Sequence, residues 1–124
     1  MGAPNQVRPR VILDVVLEKG FFYLVLKNIG VEPAIRVCTK ISPRIDGPDG
    51  KKAVNDLNVF RNVEFLAPGR DYSILVGSAV GYFSAKQPSR VTAVISYSDG
   101  DGNGFSETIV HDLDIFRDLP RRLD

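Results

Sequence analysis

The loop that covers residues 99–104 reads Asp-Gly-Asp-Gly-Asn-Gly and is the part of the chain most similar to a chemical site. Oxygen ligands at Asp99, Asp101 and Asn103 alternate as in the first half of an EF-hand calcium loop. The bidentate glutamate expected at the twelfth position is missing, because that residue is Val110. The pattern therefore favours a hairpin loop of residues that accept positive φ, with calcium or carbohydrate binding by these three side chains as the alternative.

A second acidic loop, Asp46-Gly47-Pro48-Asp49-Gly50, lies further upstream. Two lysines follow it directly and would repel a cation, so we interpret it as a solvated loop. It belongs to the stretch from Ser42 to Lys52, which we expect to be the longest irregular connection.

Histidine, cysteine and serine side chains raise the question of a hydrolase. His111 and Asp112 are neighbours on a strand, so they point to opposite faces and cannot orient each other as members of a catalytic triad. Cys38 lies on the polar face of its strand without a helix start beside it to activate the thiol. The chain has no Gly-x-Ser-x-Gly elbow. We therefore predict no catalytic residue, no cofactor, no enzymatic activity and, outside the calcium alternative, no metal site.

Length and composition describe one ordinary globular domain of 124 residues. Sixteen basic and fifteen acidic side chains leave a net charge of +1, which gives no electrostatic argument for nucleic acid as a partner. No window approaches the ~20 apolar residues of a membrane span, so we expect no direct membrane insertion. Because Cys38 is the single cysteine, the chain forms no internal disulfide.

Alternating apolar residues predict about seven short antiparallel strands. Lys19-Gly20 predicts a tight turn between a first strand that begins near Arg10 and a second that covers Phe21–Ile29. Ala67-Pro68-Gly69-Arg70 places proline and glycine at the central positions of another turn. The residues expected to face the core are Val11, Leu13, Val15, Leu17, Phe22, Leu24, Leu26, Ile35, Val37, Ile41, Tyr72, Ile74, Val76, Val91, Ala93, Ile95 and Tyr97.

Three segments are harder to assign. Val54–Leu66 fits either one broken strand or a short helical turn followed by a strand. Two glycines loosen the chain around Val80–Lys86, which we expect to be an extended edge or a loop. Phe105–Phe116 is predicted as the last strand, with an ambiguous inward face because two apolar residues are adjacent within it.

Aromatic and β-branched side chains form one surface feature. Phe21, Tyr23 and Val25 project from the outer face of a strand whose inner face is already apolar. Tyr82 and Phe83 add further aromatic surface if they are exposed. Because aromatic residues concentrate at interface hot spots, this patch predicts a protein partner or self-association. The alternative is that these side chains pack under loops or against the other sheet.

Turn motifs connect the strands in an order that resembles a known class of domains. The motifs are Asn28-Ile29-Gly30, Pro33-Ala34, Leu66-Ala67-Pro68-Gly69 and Tyr97-Ser98-Asp99-Gly100. In this order, over roughly Val11–Phe116, the chain resembles the immunoglobulin-like accessory domains of prokaryotic proteins, including the adhesion-related CARDB-type modules of bacteria. Leu66–Tyr72 is also similar to the Leu-x-Pro-Gly-x-x-Tyr motif of fibronectin type III domains. In that fold one strand follows the tyrosine-bearing strand, whereas two candidates follow here.

The sequence thus predicts an all-β fold, an immunoglobulin-like antiparallel β-sandwich of about seven strands, with a sheet closed on itself as the alternative. We expect a flexible segment over residues 1–9, the sandwich over 10–116 and a charged tail over 117–124. The resemblance implies a non-catalytic accessory or protein-interaction module of a larger bacterial protein or assembly. Such a module presents loops, a sheet edge or an aromatic patch to its partner.

Overall fold

The computed structural model describes residues 7–118, which form a sandwich of two antiparallel β-sheets. One sheet has three strands in the order β1-β2-β5, and the other has four strands in the order β4-β3-β6-β7. The predicted fold class, an all-β sandwich of seven strands, is confirmed for this part of the chain. The strands are β1 (Val11–Glu18), β2 (Phe21–Asn28), β3 (Ala34–Ser42), β4 (Val63–Leu66), β5 (Asp71–Ser78), β6 (Arg90–Ser98) and β7 (Gly104–Asp112).

The chain changes sheet three times. After the β1–β2 hairpin it crosses to pair β3 with β4, returns to place β5 beside β2, and crosses again to form the β6–β7 hairpin. Two strands therefore follow β5, which carries Tyr72, as the sequence indicated. The edge strands are β1 and β5 in the three-stranded sheet, and β4 and β7 in the four-stranded sheet.

The core lies between the two sheets, and an aromatic cluster forms around the buried Phe22 near the start of β2. The Phe22 ring makes edge-to-face contacts with the rings of Tyr82, Phe83 and Phe116, at centroid distances of 5.4, 5.7 and 5.4 Å. The residues that were expected to face the core and are buried are Val11, Leu13, Val15, Phe22, Leu24, Leu26, Val37, Ile41, Val76, Val91, Ala93, Ile95 and Tyr97. Leu17 and Ile74 are partly buried against this core. Tyr72 lies opposite the buried Leu26 but remains 37% exposed, because β5 is an edge strand.

Both predicted tight turns are confirmed. The β1–β2 hairpin turns on Lys19 and Gly20, which have φ values of 51° and 83°, and two consecutive positive φ angles are typical of a type I′ turn. At the second turn Gly69 has a φ of 79°, and the Arg70 N–H donates to the Ala67 carbonyl at 3.0 Å. The first turn fixes the register of β1 against β2, whereas the second carries the chain from β4 in one sheet to β5 in the other.

The predicted inward face of β3 is wrong at Ile35. Arg36 has a positive φ of 51°, and the register with β6 shifts at this point, as in a β-bulge. The extra residue reverses the alternation, so Ala34 and Val37 are buried, whereas Ile35 faces outward opposite Phe65.

Two of the segments that were harder to assign contain helical turns. The stretch from Val54 to Leu66 contains a 3₁₀ turn, Val54–Asp56, and the helix α1 (Asn58–Arg61) before β4, which confirms the helical alternative. The expectation of an extended edge or a loop at Val80–Lys86 is wrong, because Ala79–Ser84 forms the short helix α2. The Ser78 Oγ caps α2 by accepting a hydrogen bond from the Gly81 N–H at 2.9 Å.

The last strand is shorter than predicted, since β7 ends at Asp112 and a 3₁₀ turn, Leu113–Phe116, follows. An Asp112 side-chain oxygen accepts a hydrogen bond from the Asp114 N–H at 3.0 Å and so begins this turn. Val110 is 48% exposed, which identifies the inward face of β7 as the one that carries Ile109.

Asn28 is a fully buried polar residue that explains several of the turn motifs. Its Oδ1 accepts hydrogen bonds from the N–H groups of Arg10 (3.2 Å) and Gly30 (2.9 Å). Its Nδ2 donates to the carbonyls of Glu32 (2.8 Å) and Leu66 (3.0 Å). All four hydrogen-bonding positions of the amide are therefore used.

Gly30 and Gly69 complete the same structure. A Cβ atom on Gly30 would collide with the carbonyl oxygen of Arg8 and lie 2.5 Å from the backbone nitrogen of Arg10, so no other residue fits there without movement of the backbone. The Gly69 N–H donates to the Asn28 carbonyl at 2.8 Å. The Asn-x-Gly and Leu-x-Pro-Gly motifs are therefore structural requirements of this end of the sandwich.

Thr39 is a polar residue buried in the core. It is 4% exposed, and its Oγ1 has no hydrogen-bond partner among the described residues. We expect Thr39→Val to raise the free energy of unfolding by about 1 kcal/mol, because it removes an unsatisfied buried hydroxyl. Urea denaturation measures the change, and Thr108→Val on the exposed face of β7 is the control. A loss of stability in Thr39→Val would show that the hydroxyl is satisfied.

The two ends of the chain extend past the described residues. Residues 1–6 of the segment expected to be flexible and residues 119–124 of the expected charged tail lie outside them. Pro9 is buried, and Arg8 reaches the four-stranded sheet, so packing of the sandwich begins at Arg8. At the other end, Arg117 pairs with Asp114 at 2.7 Å and lies 4.0 Å from the ring centroid of Phe83.

Candidate protein-interaction surface

The outer face of the three-stranded sheet carries a continuous set of apolar side chains. Because side chains alternate along a strand, the residues between buried positions of β1, β2 and β5 point away from the core. The six that form this surface, called the apolar face below, are Ile12, Val16, Phe21, Tyr23, Val25 and Leu75.

A single row crosses the centre of the apolar face. Val16, Tyr23 and Leu75 lie directly opposite one another on β1, β2 and β5. At the usual strand spacing this row spans about 10 Å. Leu75 is 40% exposed and Phe21 is 43% exposed, while Val16 and Tyr23 are half-buried by their neighbours.

Charged residues flank the central row of the apolar face, and one of them, Asp14, lies between Ile12 and Val16 on β1. Asp14 and Glu18 occupy the β1 side, and Asp14 lies directly opposite Val25. Lys27 and Asp71 lie opposite each other near the end of β2, where their charges compensate. The face therefore has an apolar centre and an acidic rim on one side.

The structure places Phe21, Tyr23 and Val25 together on this outer face, as the sequence predicted. Sequence reasoning missed Ile12, Val16 and Leu75. The signal was present, since these three residues alternate with apolar positions that were assigned to the core. What the sequence did not contain was the pairing of β5 with β2, which brings Leu75 beside Tyr23.

Tyr82 and Phe83 do not belong to the surface patch; for these two residues the alternative, packing inside the protein, is the one that the structure shows. Tyr82 is 3% exposed, and both rings pack against Phe22 in the core. Burial raises the pKa of Tyr82 to about 12, and its hydroxyl donates a hydrogen bond to the Pro88 carbonyl. Helix α2 turns these side chains inward, which an extended segment would not do.

The outer face of the four-stranded sheet has a different chemistry. Its adjacent strands β6 and β7 present mainly hydroxyl groups, with Val94 and Val110 as single exposed apolar residues. The hydroxyl-bearing residues are Thr92, Ser96, Ser98, Ser106 and Thr108. The outer apolar residues of this sheet are thus Val94 and Val110 among the hydroxyl groups and, on β3 and β4, Ile35 opposite the exposed Phe65.

The Asp99–Asn103 loop uses its own polar groups to hold the β6–β7 hairpin. Asp99 Oδ1 accepts hydrogen bonds from the N–H groups of Asp101 and Asn103, both at 2.9 Å, and Oδ2 accepts one from Asn103 Nδ2 at 2.9 Å. The pKa of Asp99 is lowered, first by the Asn103 side-chain amide and then by backbone N–H groups. Its stabilising effect is therefore present at neutral pH and is lost as the pH falls below the ordinary value of 3.8.

We expect calcium to have no effect on the thermal stability of this domain. Both carboxylate oxygens of Asp99 are already engaged within the loop, so a cation would have to displace those hydrogen bonds. Differential scanning calorimetry in calcium and in chelator should give the same Tm. Asp99→Ala should lower the Tm equally in both buffers, whereas a higher Tm in calcium that is lost in Asp99→Ala would contradict this account.

A cleft of about 380 Å³ lies between the Asp46–Gly50 loop, the end of β5 and α2. Its polar groups are paired with the protein. The Gln87 amide exchanges two hydrogen bonds with the backbone of Asp46, at 2.9 and 3.1 Å. Asp49 accepts hydrogen bonds from the N–H groups of Lys51 and Lys52, which lower its pKa. These contacts hold the loop in place. They also mean that the polar groups named here are engaged within the protein.

His111 and Asp112 point to opposite faces, as predicted. The half-buried His111 donates a hydrogen bond through Nε2 to the Leu13 carbonyl of β1 at 2.8 Å. Asp112 is exposed and begins the following 3₁₀ turn. Cys38 lies opposite Ser96 on the outer face of the four-stranded sheet and is only partly exposed. The structure does not bring these groups together.

One polar cluster near the start of β1 had no signal in the sequence. Arg8 lies 3.6 Å from the Glu107 carboxylate, 3.3 Å from the Tyr97 hydroxyl and 4.8 Å from the centroid of the Phe105 ring. The Tyr97 hydroxyl also donates to Glu107 at 2.8 Å, and burial raises its pKa. This cluster fastens the segment that precedes β1 to the four-stranded sheet, so its role is structural.

Across residues 7–118, no group of three or more histidine, cysteine, aspartate or glutamate side chains is arranged to hold a metal ion. None of the helices described there has the length and apolar character needed to cross a membrane.

Comparisons with known proteins place the chain in a family but do not assign an activity. Neither the curated proteins nor the solved structures yield a match to the chain. One family model matches residues 3–117, which is nearly the whole chain. The chain belongs to this family, DUF8453, which is described as a domain of unknown function.

Proposed function

We propose that this domain is a non-catalytic interaction module that binds a protein partner through the apolar face. The observation that supports the proposal most is the row of Val16, Tyr23 and Leu75 on the outside of a sheet whose inner side already forms a core. Contiguous exposed apolar surface marks interaction sites in soluble proteins, and a central tyrosine suits a hot spot.

The charges beside the apolar face indicate which charges a partner surface should carry. Asp14 and Glu18 give the β1 side a negative charge, whereas Lys27 is compensated by Asp71. A complementary protein surface has an apolar centre and basic residues on the side that meets β1. Such charge pairing contributes to orientation and association rate more than to affinity.

An immunoglobulin-like accessory module of a larger bacterial protein is the class that we propose for the domain. The distribution of strands supports it, because β1, β2 and β5 share one sheet and β3, β6 and β7 share the other, as strands A, B, E and C, F, G of such sandwiches do. The turn motifs around Asn28 and Gly69 add the sequence resemblance. In this assignment β4 is the extra strand beside β3.

We expect Tyr23→Asp to abolish partner binding without unfolding the domain. Tyr23 lies on the outer face, so the change should alter the free energy of unfolding by no more than about 1 kcal/mol. The assay compares polypeptides retained from a lysate of the source organism by immobilised wild-type protein, Tyr23→Asp and Thr108→Asp. The last variant places the same charge on the hydroxyl-rich face.

A polypeptide that is retained by the wild type and by Thr108→Asp but lost from Tyr23→Asp supports the proposal. Equal retention by all three proteins would contradict it. A Tyr23→Asp variant that unfolds would also contradict it, because Tyr23 would then be a core residue.

A further inference from the structure

The free edge of β5 differs from the other sheet edges in residues 7–118. β1 carries Asp14 and Glu18, and its Leu13 carbonyl already accepts a hydrogen bond from His111. β4 has four residues, and β7 lies beside β1 on the side that His111 closes. β5 has eight residues and carries one charged residue, Asp71 at its start; from Tyr72 to Ala85 the chain has no charged residue and no proline. Proteins normally protect a long edge with such residues, so an unprotected one is suited to pairing with another strand.

The hydrogen-bond pattern identifies which backbone groups are free at this edge. The Asn28 N–H donates to the Arg70 carbonyl, so this carbonyl points towards β2, and the Asn28 carbonyl accepts in return from the Gly69 N–H. Because the backbone groups of successive residues point to alternate sides of a strand, Tyr72 and Ile74 also direct theirs to β2. Asp71, Ser73 and Leu75 therefore direct their N–H and C=O groups outward, away from β2.

Side chains next to the same edge are incompletely covered. Tyr72 and Ile74 face the inner side of the sheet, opposite the buried Leu26 and Leu24, but Tyr72 is 37% exposed and Ile74 is only half-buried. The regular part of β5 ends at Leu75, because the register with β2 shifts immediately after it. Asp71–Leu75 is thus a five-residue segment with free backbone groups and apolar side chains that still lack neighbours.

We propose that this segment pairs with the same segment of a second copy of the chain, antiparallel and centred on Ser73. In this register Tyr72 lies opposite Ile74 of the second copy, and aromatic pairs with β-branched residues stabilise antiparallel strands. Asp71 lies opposite Leu75, so the two carboxylates do not face each other. The outward groups of Asp71, Ser73 and Leu75 coincide with the hydrogen-bonding positions of this ladder.

The pairing joins the two three-stranded sheets into one sheet of six strands. A twofold axis through Ser73 and perpendicular to the sheet leaves both apolar faces on the same side, so the dimer presents a doubled apolar face. The role of this doubled face rests on the proposed function, because it assumes that the apolar face binds a partner. The contact is small, so we expect a weak dimer that depends on concentration.

A disulfide trap tests the pairing directly. In an antiparallel hydrogen-bonded pair the Cα atoms of opposite residues lie about 5.5 Å apart, which a disulfide spans. Ser73→Cys is made in a chain in which Cys38 is replaced by serine, and it is oxidised at several protein concentrations. Ser106→Cys is the matched control, because Ser106 is also an exposed serine on an edge strand. Leu75→Cys tests the register.

We expect Ser73→Cys to form a linked dimer of twice the 13.7 kDa chain mass at least tenfold faster than either control. Linking of Ser73→Cys no faster than Ser106→Cys, together with a monomer mass by light scattering at every concentration, would overturn the proposal. Preferential linking of Leu75→Cys would overturn the register centred on Ser73. Adding Tyr23→Asp to Ser73→Cys should leave the rate of disulfide linking unchanged. The disulfide trap therefore tests the β5 pairing separately from partner binding by the apolar face.

Discussion

Replacing Phe22 by alanine is expected to lower the free energy of unfolding by about 3–5 kcal/mol, the range measured for buried aromatic residues. Phe22 is 1% exposed and contacts three other aromatic rings, so its removal leaves a cavity that these rigid rings cannot fill. The three rings belong to α2 and to the 3₁₀ turn after β7, so the packing of both elements against the sheets should weaken as well. Urea denaturation followed by far-UV circular dichroism measures the change.

Phe21→Ala is the matched control on the neighbouring residue. Phe21 lies on the apolar face and is 43% exposed, so we expect its replacement to lower the free energy of unfolding by no more than about 1 kcal/mol. Comparing these two adjacent phenylalanines on β2 then distinguishes a core residue from a residue of the proposed binding surface. Similar losses for Phe21→Ala and Phe22→Ala would contradict that separation.

Asn28→Ala is expected to lower the free energy of unfolding by about 3–4 kcal/mol. The substitution removes four hydrogen bonds and leaves the carbonyls of Glu32 and Leu66 and the N–H groups of Arg10 and Gly30 without their partner. Each buried polar group left unsatisfied costs about 1–3 kcal/mol, and water that enters the site recovers part of this loss. Chemical denaturation measures the difference from the wild type.

Two further variants define the role of Asn28. Asn62→Ala removes an exposed asparagine that makes one side-chain hydrogen bond, to Glu64, and should change stability by less than about 0.5 kcal/mol. Asn28→Asp places a carboxylate against two carbonyl oxygens, so the pKa of the new side chain rises in the folded state. The folded state then binds a proton more tightly than the unfolded chain, and the free energy of unfolding should rise as the pH falls from 7 towards 4. A variant whose stability does not depend on pH in this window would contradict the hydrogen-bond assignment.

The strands and tight turns were predictable because their causes are local. Alternation of apolar residues identified most of the buried positions of β1, β2 and β6. Lys19-Gly20 and Pro68-Gly69 specified turns through backbone preferences that do not depend on distant residues. The sequence also placed Phe21, Tyr23 and Val25 on one outer face for the same reason.

The remaining features depend on contacts between distant parts of the chain. Arg36 adopts a positive φ in a bulge that no local rule favours, and this reversed the predicted direction of Ile35. Helix α2 contains Gly81 and the β-branched Val80, which disfavour helices, and it is stabilised by packing of Tyr82 and Phe83 on Phe22. The Asn28 hydrogen bonds and the Arg8 cluster likewise join residues that are far apart in sequence.

The residues of the apolar face on β2 were predictable from the sequence, and those on β1 and β5 were not. Tyr23 could be assigned to an outer face from alternation alone, but its position beside Val16 and Leu75 follows from the pairing of β2 with β1 and β5. The partners of an edge strand are set by the whole topology. For that reason the free edge of β5 emerges only from the assembled sheet.

The most direct test of the apolar face as a binding surface is site-specific photo-cross-linking in the source organism. A benzophenone amino acid replaces Tyr23 in one version of the chain and Thr108, on the hydroxyl-rich face, in another. We expect a discrete cross-linked product from position 23 and none from position 108. Equal or diffuse labelling from the two positions would show that the apolar face has no specific partner and would contradict the account.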